Sequence, residues 1–142
     1  MDVPVSLEYS VEGDDFLAAG EASNNIKETL KMLGVPSPIC RRAAVVTYEM
    51  EMNLVIHAGG GTLKAMIYPD KLEILTIDQG PGIPDVEKAL QEGWSTAPDH
   101  IREMGFGAGM GLPNIRKNSD IFEIQTEMGR GTTVRSVIAF SA

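Results

Sequence analysis

Three polar residues in the run YEMEMNLVIH, namely Glu49, Asn53 and His57, recur every four positions. Residues four apart lie one above another on an α-helix. A carboxylate, an amide and an imidazole therefore share one narrow stripe, beside an apolar face made by Val46, Met50 and Leu54. The carboxylate can take a proton from a hydroxyl or a water. The amide oxygen is a hard ligand of the kind that suits Mg²⁺. A surface helix with a merely solvated polar edge would carry the same stripe, so the rest of the chain has to decide.

Two glycine-bearing stretches bear on that decision. Asp78-Gln79-Gly80-Pro81-Gly82-Ile83 follows an apolar run directly. An acid at a strand's end, then two glycines around a proline, makes a sharp turn that holds a carboxylate at the rim of a sheet. Further on, Gly105, Gly107, Gly109 and Gly111 alternate with Phe106, Ala108 and Met110 and lead into a helical pattern from Leu112 to Lys117. Backbone N–H groups of such a segment, with the helix N-terminus behind them, can wrap phosphate oxygens. A flexible linker is the plainer reading, but linkers are built of Gly and Ser rather than of Gly with Phe, Ala and Met. The common phosphate loop is excluded because no Gly-Lys pair exists anywhere in the chain,. The dinucleotide fingerprint fails as well, because these glycines are spaced by twos only,.

The elements that must position these groups can be read in order. Val3 to Val11 alternates apolar and polar residues, as a half-buried strand does, and Pro4 pushes it to a sheet edge,. Ala18 to Leu33 reads as a helix, with Asn25 and Glu28 as a capping pair and Gly34 as the stop,. Ser37-Pro38 opens a second helix that runs to about His57 or Ala58 and ends at Gly59-Gly60-Gly61,. Thr62 to Tyr68 and Lys71 to Ile77 form a hairpin, and Asp85 to Glu92 a short helix. Ile121 to Thr126 and Thr132 to Phe140 form a closing hairpin through Met128-Gly129-Arg130-Gly131,. The fold expected is α+β, a two-layer sandwich with helices on one face of a mixed, mostly antiparallel sheet.

Composition bounds the function classes. The chain has 142 residues, 43% of them hydrophobic, and a net charge of −8. That suffices for one globular core, and residues 1–142 read as a single domain without repeats or linkers,. The negative charge weighs against direct nucleic-acid binding and against an anionic membrane surface. A nucleotide remains compatible, since backbone N–H groups and a metal can meet its phosphates. The single cysteine, Cys40, excludes an intramolecular disulfide and a multi-cysteine zinc site and reads as a small core residue,. The start MDVPVSLEYSVEG lacks the basic and apolar regions of a signal peptide, and no run approaches a membrane span, so a cytoplasmic protein is expected,.

Four landmarks thus stand in one order: Glu49 and Asn53 on a helix, Asp78-x-Gly80-x-Gly82, Gly107-x-Gly109-x-Gly111, and Gly131-Thr132 on a late hairpin. Over about residues 40 to 140 this resembles the ATP-binding superfamily shared by gyrase, ninety-kilodalton heat-shock chaperones, sensor histidine kinases and mismatch-repair ATPases, the histidine-kinase-like ATPase fold. The small size and the form Glu-x-x-x-Asn-x-x-x-His resemble most the bacterial anti-sigma-factor serine/threonine kinases. The resemblance implies ATP and Mg²⁺ as ligands. It makes Asn53 the Mg²⁺ holder, Glu49 the general base and Asp78 the acceptor of the adenine amine, with Thr132 in support. It lays the base against Gly80, Gly82 and Ile83, gives phosphate contacts to Gly105, Gly107, Ala108, Gly109, Met110, Gly111 and Leu112, and leaves His57 either a ligand contact or a packing residue.

The same resemblance implies transfer of the γ-phosphoryl of ATP to a Ser or Thr of a regulatory partner, a sigma factor or an antagonist of the STAS type. It leaves open whether two copies form a homodimer. The only histidines, His57 and His100, both follow Glu49, which argues against self-phosphorylation on an upstream His. Arg102, Arg116 and Lys117 are the candidates by position for meeting the γ-phosphate. Two other readings stay open: a non-catalytic module whose partner binding depends on ATP, and a stand-alone ATP-binding subunit of a histidine-kinase-like system.

Overall fold

The computed structural model describes residues 4–13, 15, 17–91 and 111–141. Five strands form one sheet: β1 (Val5–Glu12), β2 (Gly60–Ile67), β3 (Lys71–Ile77), β4 (Ile121–Glu127) and β5 (Gly131–Ala139), in the order β1-β2-β3-β5-β4. Every pairing is antiparallel, so the sheet is less mixed than its sequence suggests. Helices α1 (Glu21–Met32), α2 (Ser37–Ile56) and α4 (Gly111–Asn118) cover it, and a single turn of helix, α3 (Val86–Ala89), follows the β3 corner.

The period of two puts Leu63, Ala65, Ile67, Leu72, Ile74, Val134 and Ile138 on the covered face, all of them buried,. From α2 the buried stripe is Cys40, Ala43, Val46, Met50 and Leu54, and α1 adds Ile26 and Leu30. Cys40 is a core residue whose Sγ–H reaches the Val35 carbonyl oxygen, 3.4 Å away. Leu112 and Ile115 seat α4 in the same core. The opposite face is solvated. There Arg135 bridges Glu73 and Glu123 at 3.2 and 2.9 Å, pairs of the kind that add little stability in water,.

The start of α1 differs from the capping pair read in the sequence. Its N-cap is Gly20 in a left-handed conformation, and no side chain of its own first turn caps it. The carboxylate of Glu51 on α2, 3% exposed, does so instead. It accepts the N–H groups of Gly20 at 3.0 Å, Ala22 at 3.3 Å and Ser23 at 3.0 Å. Glu51 and Glu49 are two residues apart, about 200° around a helix, so the two acids face opposite sides of α2.

The other end of α2 differs too. Gly60 and Gly61, read with Gly59 as the end of the helix, belong to β2 and pair with Glu12 and Val11. No helix among the described residues is long and apolar enough to cross a membrane.

Candidate functional site

The site is built where α2, the turn after β3, the β4–β5 hairpin and the first residue of α4 converge. Glu49 and Asn53 point from α2 toward Gly111. A Cβ placed on Gly111 would lie 3.1 Å from Glu49 Oε2 and 3.2 Å from Asn53 Oδ1. Nothing larger than glycine fits there without displacing one of the two polar groups. Burial raises the Glu49 pKa above its ordinary value, because desolvation disfavours the charged carboxylate. A carboxylate so placed holds a proton more readily than one in water, which suits proton abstraction near neutral pH.

The second half of the site is the β3 corner. Asp78 Oδ1 accepts the N–H of Gly80 at 2.9 Å and that of Thr132 at 3.2 Å. Both bonds fall on one oxygen, and among the described residues nothing donates to the other. Gly80 passes so close to α2 that a Cβ would meet the Ala58 carbonyl oxygen at 2.7 Å. The β3 corner is thereby pressed against the end of the helix that carries Glu49 and Asn53. Gly82 has φ +85° and would set a Cβ 2.8 Å from the Glu127 carbonyl oxygen, which is why a turn here needs glycine,.

Several residues singled out in the sequence thus form two clusters joined through the C-terminal half of α2: Glu49, Asn53 and Gly111 in one, and Asp78, Gly80, Gly82 and Thr132 in the other. Ile83 packs against the core, and its N–H is committed to Thr126 Oγ1 at 2.8 Å. Leu112 also turns its side chain into the core, which leaves only its backbone for a ligand. His57 is the C-cap of α2, its N–H donating to the Asn53 carbonyl at 3.0 Å. Gly105, Gly107, Ala108, Gly109 and Met110 lie outside the described residues, as do the irregular stretch that precedes them and Arg102. Arg116 and Lys117 stand in the last turn of α4, roughly 7 to 9 Å along the helix from Gly111,.

Thr126 is the member that the sequence reading passed over. A threonine in a strand carries no local mark; only the cross-strand register, which sets it opposite Thr132, brings it to the corner.

Residues 41–141 match the family described as histidine kinase-, DNA gyrase B- and HSP90-like ATPase. The chain belongs to this family. Among curated proteins, it is 30% identical over 127 residues to serine/threonine-protein kinase RsbT of Bacillus subtilis, covering 87% of each chain. It is 38% identical over 92 residues to an anti-sigma F factor of Caldanaerobacter subterraneus subsp. tengcongensis, covering 61% of each. Two solved structures share the fold. One is the SiaB–SiaC complex from Pseudomonas aeruginosa, with TM-score 0.63 and 14% identity over 93% of this chain and 88% of that one. The other is the mycobacterial sensor histidine kinase MprB, with TM-score 0.53 and 15% identity over 95% and 97%. The α+β architecture and the ATP-binding family expected from the four landmarks are thus borne out.

Proposed function

We propose that this chain is an ATP-dependent serine/threonine protein kinase of the anti-sigma-factor type, made of one domain spanning residues 1–142. It transfers the γ-phosphoryl of ATP to a hydroxyl of a regulatory partner, a sigma factor or a STAS-type antagonist, in the cytoplasm. The observation that carries the reading is the cluster of a half-buried Glu49, Asn53 one turn further on, and a glycine at the start of α4 packed against both. The names of the two relatives, a serine/threonine kinase and an anti-sigma factor, support the choice of acceptor and partner.

Each step falls to a residue of the chain. Asp78 accepts the exocyclic amine of adenine through its remaining oxygen. The N-terminal turn of α4, which contains no acidic residue, turns its N–H groups to the phosphates,. Glu49 takes the proton of the attacking hydroxyl as the new P–O bond forms and the bond to the ADP oxygen breaks. Positioning and charge neutralisation supply most of the catalysis of phosphoryl transfer, so a small site suffices.

The donor set fits Mg²⁺. Among the described residues no group of three or more His, Cys, Asp or Glu could hold a metal ion. A single amide oxygen, from Asn53, leaves the remaining positions to phosphates and waters, the arrangement Mg²⁺ favours. When bound, the ion would neutralise phosphate charge.

The test is transfer of label from γ-labelled ATP to a partner protein. Glu49→Ala should abolish transfer while ATP still binds, whereas Asp78→Asn should lose ATP binding. Undiminished transfer by Glu49→Ala removes the base. Transfer by neither protein, with partner binding that still needs ATP, would favour the non-catalytic module.

A further inference from the structure

The hydroxyls of Thr126 and Thr132 are 2.9 Å apart across the β4–β5 pair. Thr126 Oγ1 also accepts the Ile83 N–H at 2.8 Å and lies 3.4 Å from the Gly131 carbonyl oxygen. A hydroxyl has one proton to give and two lone pairs to offer. The Ile83 N–H can only donate, so it fixes one lone pair of Thr126 as an acceptor. The one proton of Thr126 then has two acceptors within reach. At 3.4 Å the Gly131 carbonyl is beyond the usual range of an O–H···O bond, and at 2.9 Å Thr132 Oγ1 is within it,. The geometry therefore favours a chain that runs one way: Ile83 N–H to Thr126, and Thr126 O–H to Thr132. The proton of Thr132 is left to point onward.

Thr132 stands beside Asp78, donating its backbone N–H to Asp78 Oδ1 at 3.2 Å. An acceptor and a hydroxyl donor side by side complement the edge of adenine, where the exocyclic amine donates and the adjacent ring nitrogen accepts. We propose that Thr126 is a positioning residue for base recognition, holding the Thr132 hydroxyl so that its proton meets that ring nitrogen, directly or through one water. This rests on the nucleotide reading of the site. Hydrogen bonds aligned in one direction reinforce one another, so the loss of Thr126 is felt at the base although Thr126 does not touch it. Valine at 126 keeps the shape, leaves the Ile83 N–H without its acceptor and removes the donor that orients Thr132.

The test compares ATP with 1-deaza-ATP, in which carbon replaces the accepting ring nitrogen. Both are titrated calorimetrically with Mg²⁺ into the wild-type chain, Thr126→Val and Thr126→Ser. Wild type should bind ATP about tenfold more tightly than the analogue, the usual worth of one buried hydrogen bond. Thr126→Val should lose about tenfold for ATP and less than about twofold for 1-deaza-ATP, and Thr126→Ser should match wild type for both.

A purely structural role would weaken both nucleotides alike. Equal losses, or none, overturn the proposal. Should circular dichroism show Thr126→Val unfolded, Thr126→Ala makes the same deletion. Wild type that binds ATP but shows no coupling to residue 126 overturns this inference alone. Wild type that binds neither nucleotide overturns the nucleotide reading with it.

Discussion

Replacing Glu51 by alanine should destabilise the fold by about 3 kcal/mol, and the figure can be worked from its three hydrogen bonds,. A hydrogen bond to a charged acceptor contributes roughly 1.5–3 kcal/mol. Three such bonds do not simply add, because they share two oxygens and water can reach the Gly20 N–H once the carboxylate is gone. An N-cap alone is worth about 1 kcal/mol. Glu51 is 3% exposed, so its loss also leaves a void and the buried Ser23 N–H without an acceptor.

At about 2.1 cal/mol/K per residue, a chain of 142 residues has an unfolding entropy near 0.3 kcal/mol/K. The loss should therefore lower Tm by about 10 °C. Urea unfolding followed by circular dichroism gives the difference, with an unchanged slope if the unfolded state is unaffected. Glu51→Gln should fall in between, because its oxygen can still accept from Gly20 and Ala22 while its NH2 group then faces the Ser23 N–H. A loss below about 1 kcal/mol, less than an ordinary cap, would refute the reasoning.

Glu49 should behave in the opposite sense. Its pKa is raised by burial in the folded state, so folding favours its protonated form. The stability this confers is full below the ordinary glutamate range and is lost as pH rises through the raised folded value. Glu49→Gln should flatten that dependence and be at least as stable as wild type at neutral pH; a urea midpoint series that keeps the wild-type slope would contradict it. For the same reason the acid limb of the phosphotransfer rate should lie above the usual carboxylate range, which a pH–rate profile reads directly. Gly111→Ala should cut transfer about tenfold or more by pushing Glu49 or Asn53 out of place. It should not weaken the helix, since alanine favours helix by about 1 kcal/mol over glycine. Unchanged rates in that variant would mean that the close approach at Gly111 has no catalytic consequence.

Most of the framework was legible in the sequence because it is written locally. Leu63, Ala65 and Ile67 alternate, Val46, Met50 and Leu54 recur at helical spacing, and Asp78 sits at the end of an apolar run. Each pattern needs only its own element to be read. What escaped depends on residues far apart. The cap of α1 comes from Glu51, 31 positions beyond Gly20, and no rule of helix starts looks that far. Gly60 and Gly61 read as a helix stop because the strand that pairs with them, β1, lies some fifty residues earlier. Thr126 gains its place from the register with Thr132 and from the Ile83 N–H, 43 residues away. Local signals gave the elements and the chemistry-bearing landmarks; the supporting polar contacts arise only when the elements meet.

The way the helices begin has a consequence for where an anion can settle. The start of α1 already holds the carboxylate of Glu51, and that of α3 the side chain of Asp85, which accepts the Lys88 N–H at 3.1 Å. Each of those positive poles carries a resident counter-charge. The helix α4 starts at Gly111 with no acid in its own first turn, and the side chains of Glu49 and Asn53 on α2 flank that glycine; α2 likewise starts with no acid and no side-chain cap. On the proposed function, like charge disfavours a triphosphate at the starts of α1 and α3 but not at those of α2 and α4, and of these two the start of α4 is the one beside Glu49 and Asn53. The acids set at those two starts would thus narrow where such an anion settles.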